Sequence, residues 1–398
     1  MFQAGDHNGE GRLMIEASTG NYAAAKAAKL ARADVVAVYP ITPQTTISEY
    51  VASMVQSGEM NAEFLLMESE HSAMSALIGA STIGARTFTA TSSHGLALMH
   101  EMLMWAVGAR TPVVMPVAAR AIGGPWNIWG DHQDAISERD TGWLQFFCEN
   151  NQEVLDTILM AYRVAEDREV MLPAMVVEDG FVLSHTVERI DIPDQEEVDA
   201  YLPKYNPEFS ADTSNPMRFG GLVTPDLWTE FRYRIAESHE ISREKLKAAE
   251  KDFEKIFGRS YGSPVETYRC EDADAVLIAA GAVAGTAKEV ADQLRKEGKK
   301  VGVARIRVFR PFPSEEIRKL VASVPSVGVL DKSYTFGDGG AMFNEVRSAA
   351  GTLEIGSYIA GLGGRDVPPK VLVKIFNDIL KKNRGTVWAD LKGGDLDD

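Results

Sequence analysis

Tyr39-Pro-Ile-Thr-Pro-Gln-Thr45 stands directly after the run Asp34-Val-Val-Ala-Val38, and its reading decides the fold. Val35–Val38 predicts a buried strand. A Pro-Ile-Thr-Pro segment must then leave the sheet, because each proline fixes φ and withdraws an N–H from the ladder. Such a turn holds its carbonyls and the Thr42 hydroxyl still at the carboxyl end of a strand, where a parallel α/β sheet receives its ligand. Alone, the turn is an ordinary strand-to-helix connection; the segments around it give it further meaning.

Working outward, strand-like runs at Phe64–Met67, Thr87–Ala90, Val113–Val117, Leu144–Cys148 and Ala174–Val177 alternate with helix-forming stretches at Tyr22–Ala31, Ser72–Ile83, Leu96–Val107 and Val154–Ala165. That alternation predicts an α/β fold with a mostly parallel sheet and helices on both faces. Ile190 to Asn215 is acidic, proline-bearing and aperiodic, and reads as an extended surface segment or arm suited to a partner chain. Thr224-Pro225-Asp226 carries the signals of a helix start, and the helix should end near Gly258 with Leu246, Ala249, Phe253 and Ile256 as its buried stripe. A second α/β unit begins at Asp274, with strands Ala275–Ala280, Val301–Val308 and Val327–Leu330 and helices Thr286–Glu297 and Ser314–Val321. The expected boundaries are a first domain over 1–235, a connector helix and linker over 236–264, and a second domain over 265–398.

With 398 residues the chain is long enough for two cores, and 41 basic against 57 acidic residues give a net charge of −16. That balance argues against a phosphate-backbone ligand, so no nucleic acid is expected. Met1–Arg12 has no apolar leader core, and the apolar stretch Ala275–Ala287 falls well short of the ~20 residues of a membrane span. A cytoplasmic protein without membrane contact is the expectation. The two cysteines, Cys148 and Cys270, lie far apart in sequence. An iron–sulfur cluster needs about four thiolates, so none is expected in this chain. Both thiols read as buried and structural.

Some motifs tempt a reading that their spacing does not support. Asp131, His132 and Asp134 do not form a standard ligand pattern, and His94 and His100 are six apart rather than four, so no metal site is expected and a loop-and-cap network is the better account of the first group. Gly281-Ala-Val-Ala-Gly285 lacks the full spacing of a dinucleotide loop.

The phrases Gly20-Asn-Tyr-Ala-Ala-Ala25, Tyr39-Pro-Ile-Thr-Pro-Gln-Thr45, Glu68-Ser-Glu-His-Ser-Ala73, Phe88-Thr-Ala-Thr-Ser-Ser-His-Gly-Leu96 and Arg139-Asp-Thr-Gly-Trp143 resemble the alpha chain of the 2-oxoacid:ferredoxin oxidoreductases, nearest the pyruvate:ferredoxin (pyruvate synthase) branch. The match runs in order over most of the chain. It implies a pyrimidine-type thiamine diphosphate-binding domain followed by a transketolase C-terminal-like domain. It also implies reversible, coenzyme A-dependent oxidative decarboxylation of pyruvate, with electrons passing to ferredoxin. The same chemistry on a branched-chain, aromatic or 2-oxoglutarate substrate is the alternative. By the same resemblance, Glu70 is the cofactor-activating carboxylate, with Glu68 as its rival, and Pro40 and Pro43 line the cofactor. Arg120 meets the substrate carboxylate as a planar fork, and the Thr42 hydroxyl bonds the substrate beside it. His94 lies near the rim of the site.

Phe336-Gly-Asp-Gly-Gly340 imitates the start of the family's diphosphate motif but lacks the downstream asparagines, and one such loop does not satisfy a hard cation. The resemblance therefore places only the pyrimidine end of the thiamine diphosphate here. Diphosphate, Mg2+ and the [4Fe-4S] clusters are expected on beta, gamma and delta partner chains. A transketolase-like or lipoamide-linked dehydrogenase half would use a similar glutamate, but the Tyr39–Thr45 phrase and the Arg120 loop speak against it. A non-catalytic assembly subunit is opposed by the joint presence of Glu70, Thr42 and Arg120.

Overall fold

The computed structural model describes residues 14–351 and 354–394, so the polar start Met1–Arg12 lies outside the described residues. Its largest sheet has seven strands in the order Val308–Arg310, Leu144–Phe147, Ala174–Asp179, Val114–Ala119, Thr87–Phe88, Val35–Val38 and Glu63–Leu66. The first of these pairs antiparallel with its neighbour, and the other pairs are parallel. The helices Gly20–Leu30 and Asn151–Ala165 pack on one another. Ala23, Ala24, Ala25, Ala27 and Ala28 of the first helix are all fully buried, and small side chains let neighbouring elements approach it closely. Glu70–Thr82 and Ser93–Gly108 form a second packed pair.

A second sheet has six strands in the order Thr386–Trp388, Ile355–Ile359, Val327–Asp331, Ala275–Ala279, Val301–Ile306 and Val265–Tyr268. Only Val265–Tyr268 runs antiparallel to its neighbour. One helix, Pro225–Phe257, leads into this unit, with Thr224 as N-cap, Pro225 in the first turn and left-handed Gly258 closing it. Leu246, Ala249 and Phe253 form its buried stripe, and the helix runs through residue 235 without a break. Among the described residues no helix is long and apolar enough to cross a membrane.

Two expectations are corrected, and one helix was not anticipated. The segment Ile190–Asn215 is not wholly extended: Glu188–Ile192 pairs with Met14–Ser18, and Gln195–Tyr201 is a helix started by an Asp194/Glu197 capping box. Val198 and Tyr201 are buried there, and the Tyr201 hydroxyl donates to the Ala249 carbonyl at 3.2 Å on the long helix. Two buried anchors, three residues apart, suffice for a short helix that shows no long period. The strand expected over Val301–Val308 ends at Ile306, and Val308–Arg310 joins the other sheet. Arg307, between them, is buried with Glu153, which accepts from Arg307 Nε at 2.8 Å and from Arg305 Nη1 at 2.6 Å. That shared buried carboxylate ties the two units together, since each charge is tolerable inside only because it is paired. The helix Thr45–Gln56, with Ile47, Val51 and Met54 buried, follows the proline turn directly and has no counterpart in the sequence reading.

Candidate active site

Five loops leave the carboxyl ends of adjacent parallel strands and meet at one edge of the seven-stranded sheet. They begin at Tyr39, Met67, Thr89, Arg120 and Gly180. The proline turn is fastened from behind by Asn21, whose Nδ2 donates to the Pro43 carbonyl at 2.7 Å and to Thr46 Oγ1 at 2.6 Å. Pro43 is buried, while Tyr39, Pro40 and Thr42 face outward. The outward turn is therefore rigid, and Thr42 is presented to whatever occupies the edge.

Arg120, 3% exposed, donates from Nη1 to the Thr42 carbonyl at 2.6 Å and from Nε to the Asn127 carbonyl at 3.3 Å. Among the described residues its Nη2 is paired with no acceptor. Burial lowers the arginine's pKa, and the nearby Asp134 charge opposes that effect. The guanidinium remains a cation with donors left for an external carboxylate. Thus Thr42 and Arg120, far apart in sequence, form one unit.

Ser69 caps the helix Glu70–Thr82, its hydroxyl accepting from the Ser72 N–H, and Glu70 is the first helical residue. Glu70 is 5% exposed, and burial raises its pKa. It rests against Gly95, where any Cβ would collide with its Oε1 and would lie 2.7 Å from Thr91 Oγ1. Among the described residues that Thr91 hydroxyl is itself buried without a partner. Glu68, by contrast, is exposed and accepts from the Ser72 hydroxyl at 2.6 Å. A desolvated carboxylate in a glycine-lined cradle suits a ligand that brings its own N–H donor, so these residues fit the pyrimidine end of thiamine diphosphate.

The acidic loop before the helix Gln133–Ser137 is a loop-and-cap network. Asp131 accepts from the N–H groups of Gln133 at 3.0 Å and Gly363 at 2.9 Å. His132 Nε2 pairs with Asp179 at 3.0 Å, and Asp179 is also bound by Lys332 and by the Ala282 N–H. The Gly281–Gly285 turn is thus docked on Asp179, and against the opposing effect of burial its Lys332 and His132 partners hold that carboxyl far below the usual range. Asp338 of the Gly337-Asp-Gly imitation precedes the helix Ala341–Ala350 and accepts from Arg347 in that helix's last turn at 2.8 Å. His94 is exposed, its Nε2 3.2 Å from the Gly123 N–H. Trp143 is buried and donates to the Leu103 carbonyl at 2.9 Å, so the Arg139–Trp143 phrase anchors the helix Ser93–Gly108.

Three contributors carried little signal in the sequence: Asn21, Gly95 and Asp134. Asn21 and Gly95 sit inside quoted phrases, which was their only trace. Glu178, on the strand Ala174–Asp179, is fully buried and packs on Gly20, and among the described residues neither of its carboxylate oxygens is paired. Burial, aided by Asp179, pushes its pKa up to about 8. A raised carboxyl pKa favours the fold below the unfolded value, and that contribution is lost as pH rises through the folded one. Glu178→Gln is therefore expected to match the parent near pH 4.5 and to be increasingly more stable than it up to about pH 8. Thermal unfolding across that range measures this; parallel curves would refute it.

Comparison with known proteins returns two family models. One, described as pyruvate flavodoxin/ferredoxin oxidoreductase, thiamine diphosphate-binding, matches residues 26–251. The other, pyruvate:ferredoxin oxidoreductase core domain II, matches residues 273–372. Pyruvate synthase subunit PorA of Methanothermobacter thermautotrophicus is 49% identical, covering 96% of this chain and 99% of that protein. Ketoisovalerate oxidoreductase subunit VorA of Pyrococcus horikoshii is 49% identical, covering 91% of this chain and 93% of that protein. Among solved structures, the 2-oxoglutarate:ferredoxin oxidoreductase from Magnetococcus marinus, with 2-oxoglutarate, coenzyme A and succinyl-CoA bound, shares the fold. Its TM-score is 0.71 at 21% identity, covering 95% of this chain and 67% of that chain.

Proposed function

The chain belongs to the 2-oxoacid:ferredoxin oxidoreductase family as an alpha subunit, and from that premise we propose that it oxidatively decarboxylates pyruvate within a complex of beta, gamma and delta chains. The acyl group would pass to coenzyme A and the electrons to ferredoxin. The observation that carries this reading is the buried Glu70 carboxylate facing Gly95 at the same sheet edge as the Arg120–Thr42 pair.

Bound thiamine diphosphate would supply a nucleophilic carbon and an electron sink at the keto carbon, chemistry that belongs to the cofactor. Glu70 would hold a charge-assisted hydrogen bond to the aminopyrimidine in a site of low dielectric, where such a bond is worth most. Pro40 and Pro43 would shape the wall beside it. Arg120 would orient the substrate carboxylate, with Nη2 as its free donor and the Thr42 hydroxyl beside it. Orientation is the more useful contribution, because tight ionic binding of a carboxylate that departs as CO2 would stabilise the ground state. Cys148 and Cys270 are both buried, and their pKa values are raised by burial. Neither suits a cluster ligand, so Mg2+, diphosphate contacts and [4Fe-4S] clusters are assigned to the partner chains.

A second reading, a branched-chain 2-oxoacid, draws support from the ketoisovalerate relatives, which match as well as the pyruvate ones. Arg120 and Thr42 address a group that all 2-oxoacids share. The test is purification with native partners and a kcat/KM comparison of pyruvate, 2-oxoisovalerate, 2-oxoglutarate and indolepyruvate, with coenzyme A and a viologen. Pyruvate is expected to lead, and another substrate leading would overturn the preference. The chain produced alone should carry no stoichiometric iron and no 2-oxoacid oxidation; iron at cluster stoichiometry would overturn the assignment of clusters to partners.

A further inference from the structure

Asp134 lies in the helix Gln133–Ser137, within the connection that begins at Arg120, and is 1% exposed. Its Oδ2 accepts two backbone N–H groups, from Ser93 at 2.7 Å and from Arg120 at 3.0 Å, while its Oδ1 accepts from Ala135 at 2.7 Å. Ser93 opens the helix Ser93–Gly108 with a left-handed φ of 49°, which costs a non-glycine residue free energy and persists only where surrounding bonds impose it. Its hydroxyl is held by the Ala121 carbonyl at 2.5 Å, next to Arg120. Two residues on, Gly95 forms the floor against which Glu70 rests, and its N–H bonds the Ser92 carbonyl at 2.9 Å. One carboxylate thus grips both the backbone that carries the guanidinium and the strained turn that shapes the Glu70 cradle.

Resting on the reading of Glu70 and Arg120 given above, we propose that Asp134 is a positioning residue that fixes the substrate-orienting arginine and the cofactor-activating cradle in one register. A shared acceptor is the means. Because the same oxygen receives both N–H groups, neither loop can shift without weakening the bond to the other, and misplacement of reacting groups by a fraction of an ångström forfeits orientation. The Asp134 charge also offsets the desolvation of the Arg120 guanidinium.

The test uses the assembled holoenzyme. Asp134→Asn keeps the shape but replaces one acceptor oxygen by a donor. It is expected to raise KM for the 2-oxoacid about tenfold and, independently of substrate, to slow hydrogen–deuterium exchange at the thiazolium carbon about tenfold, the scale of one lost buried hydrogen bond at each side. Ser93→Gly added to this variant should restore the exchange rate but not KM, because glycine adopts the left-handed turn without being held there. A purely structural residue would instead lower the yield of assembled enzyme and leave both constants of the folded fraction intact. That outcome, a change in only one of the two constants, or failure of both the single and double variants to assemble would overturn the proposal. Arg120→Leu and Glu70→Gln serve as controls, expected to move KM and exchange separately. If neither does so, the underlying site reading has failed rather than the role of Asp134.

Discussion

Glu70→Gln in the assembled enzyme is expected to fold and to bind its partners, yet to lose about 100-fold or more of its 2-oxoacid turnover, the typical cost of removing one preorganised electrostatic contact. The substitution keeps the side chain's volume in the cradle against Gly95 and removes only its charge. The loss should therefore appear in kcat, with exchange at the thiazolium carbon slowed in parallel and KM little changed. Glu68→Gln is the contrast. Glu68 is exposed and bonded to Ser72, so its replacement should cost far less. If Glu68→Gln were the more damaging and Glu70→Gln kept near-parental exchange, the activating role would belong to Glu68.

Arg120→Leu should separate the other half of the site. It removes the partner of the substrate carboxylate and the bond to the Thr42 carbonyl, while the Glu70 cradle is left in place. Exchange should persist and kcat/KM for pyruvate should fall by about 100-fold or more, as expected when a charged orienting contact is lost. Lysine at the same position should recover only part of this, since it restores the charge without the planar fork. Loss of exchange with the cofactor still bound, or an unchanged kcat/KM, would remove Arg120 from the substrate site. Arg120→Leu also leaves the Thr42 carbonyl without its donor, so the comparison with lysine is needed to separate substrate contact from support of the turn.

Several features were legible in the sequence because they act over a few residues. Two prolines after Val38 must end a strand, Thr224-Pro225 must begin a helix and Gly258 must end it, and alternating runs require a mostly parallel sheet. A parallel sheet also receives its ligand at the carboxyl ends of its strands, so the turn after Val38 could be placed at that edge. The short elements of the Ile190–Asn215 segment were hidden, because Val198 and Tyr201 gain their meaning only from the long helix they pack against. The break at Arg307 was hidden for the same reason, its partner Glu153 lying in another unit of the chain.

By itself, then, the sequence determined the α/β class, the proline turn and the long connector through dihedral limits and periodicity that act locally, while the candidate residues for a carboxylate and a pyrimidine rested on its resemblance to the family. Only the tertiary structure decided which carboxylate is desolvated, that the Thr42 carbonyl receives Arg120, and that Asp134 joins Ser93 to Arg120. Burial and hydrogen-bond partnership depend on which strand ends are neighbours. That order is set by ladders between segments tens of residues apart, a long-range outcome that no local pattern encodes.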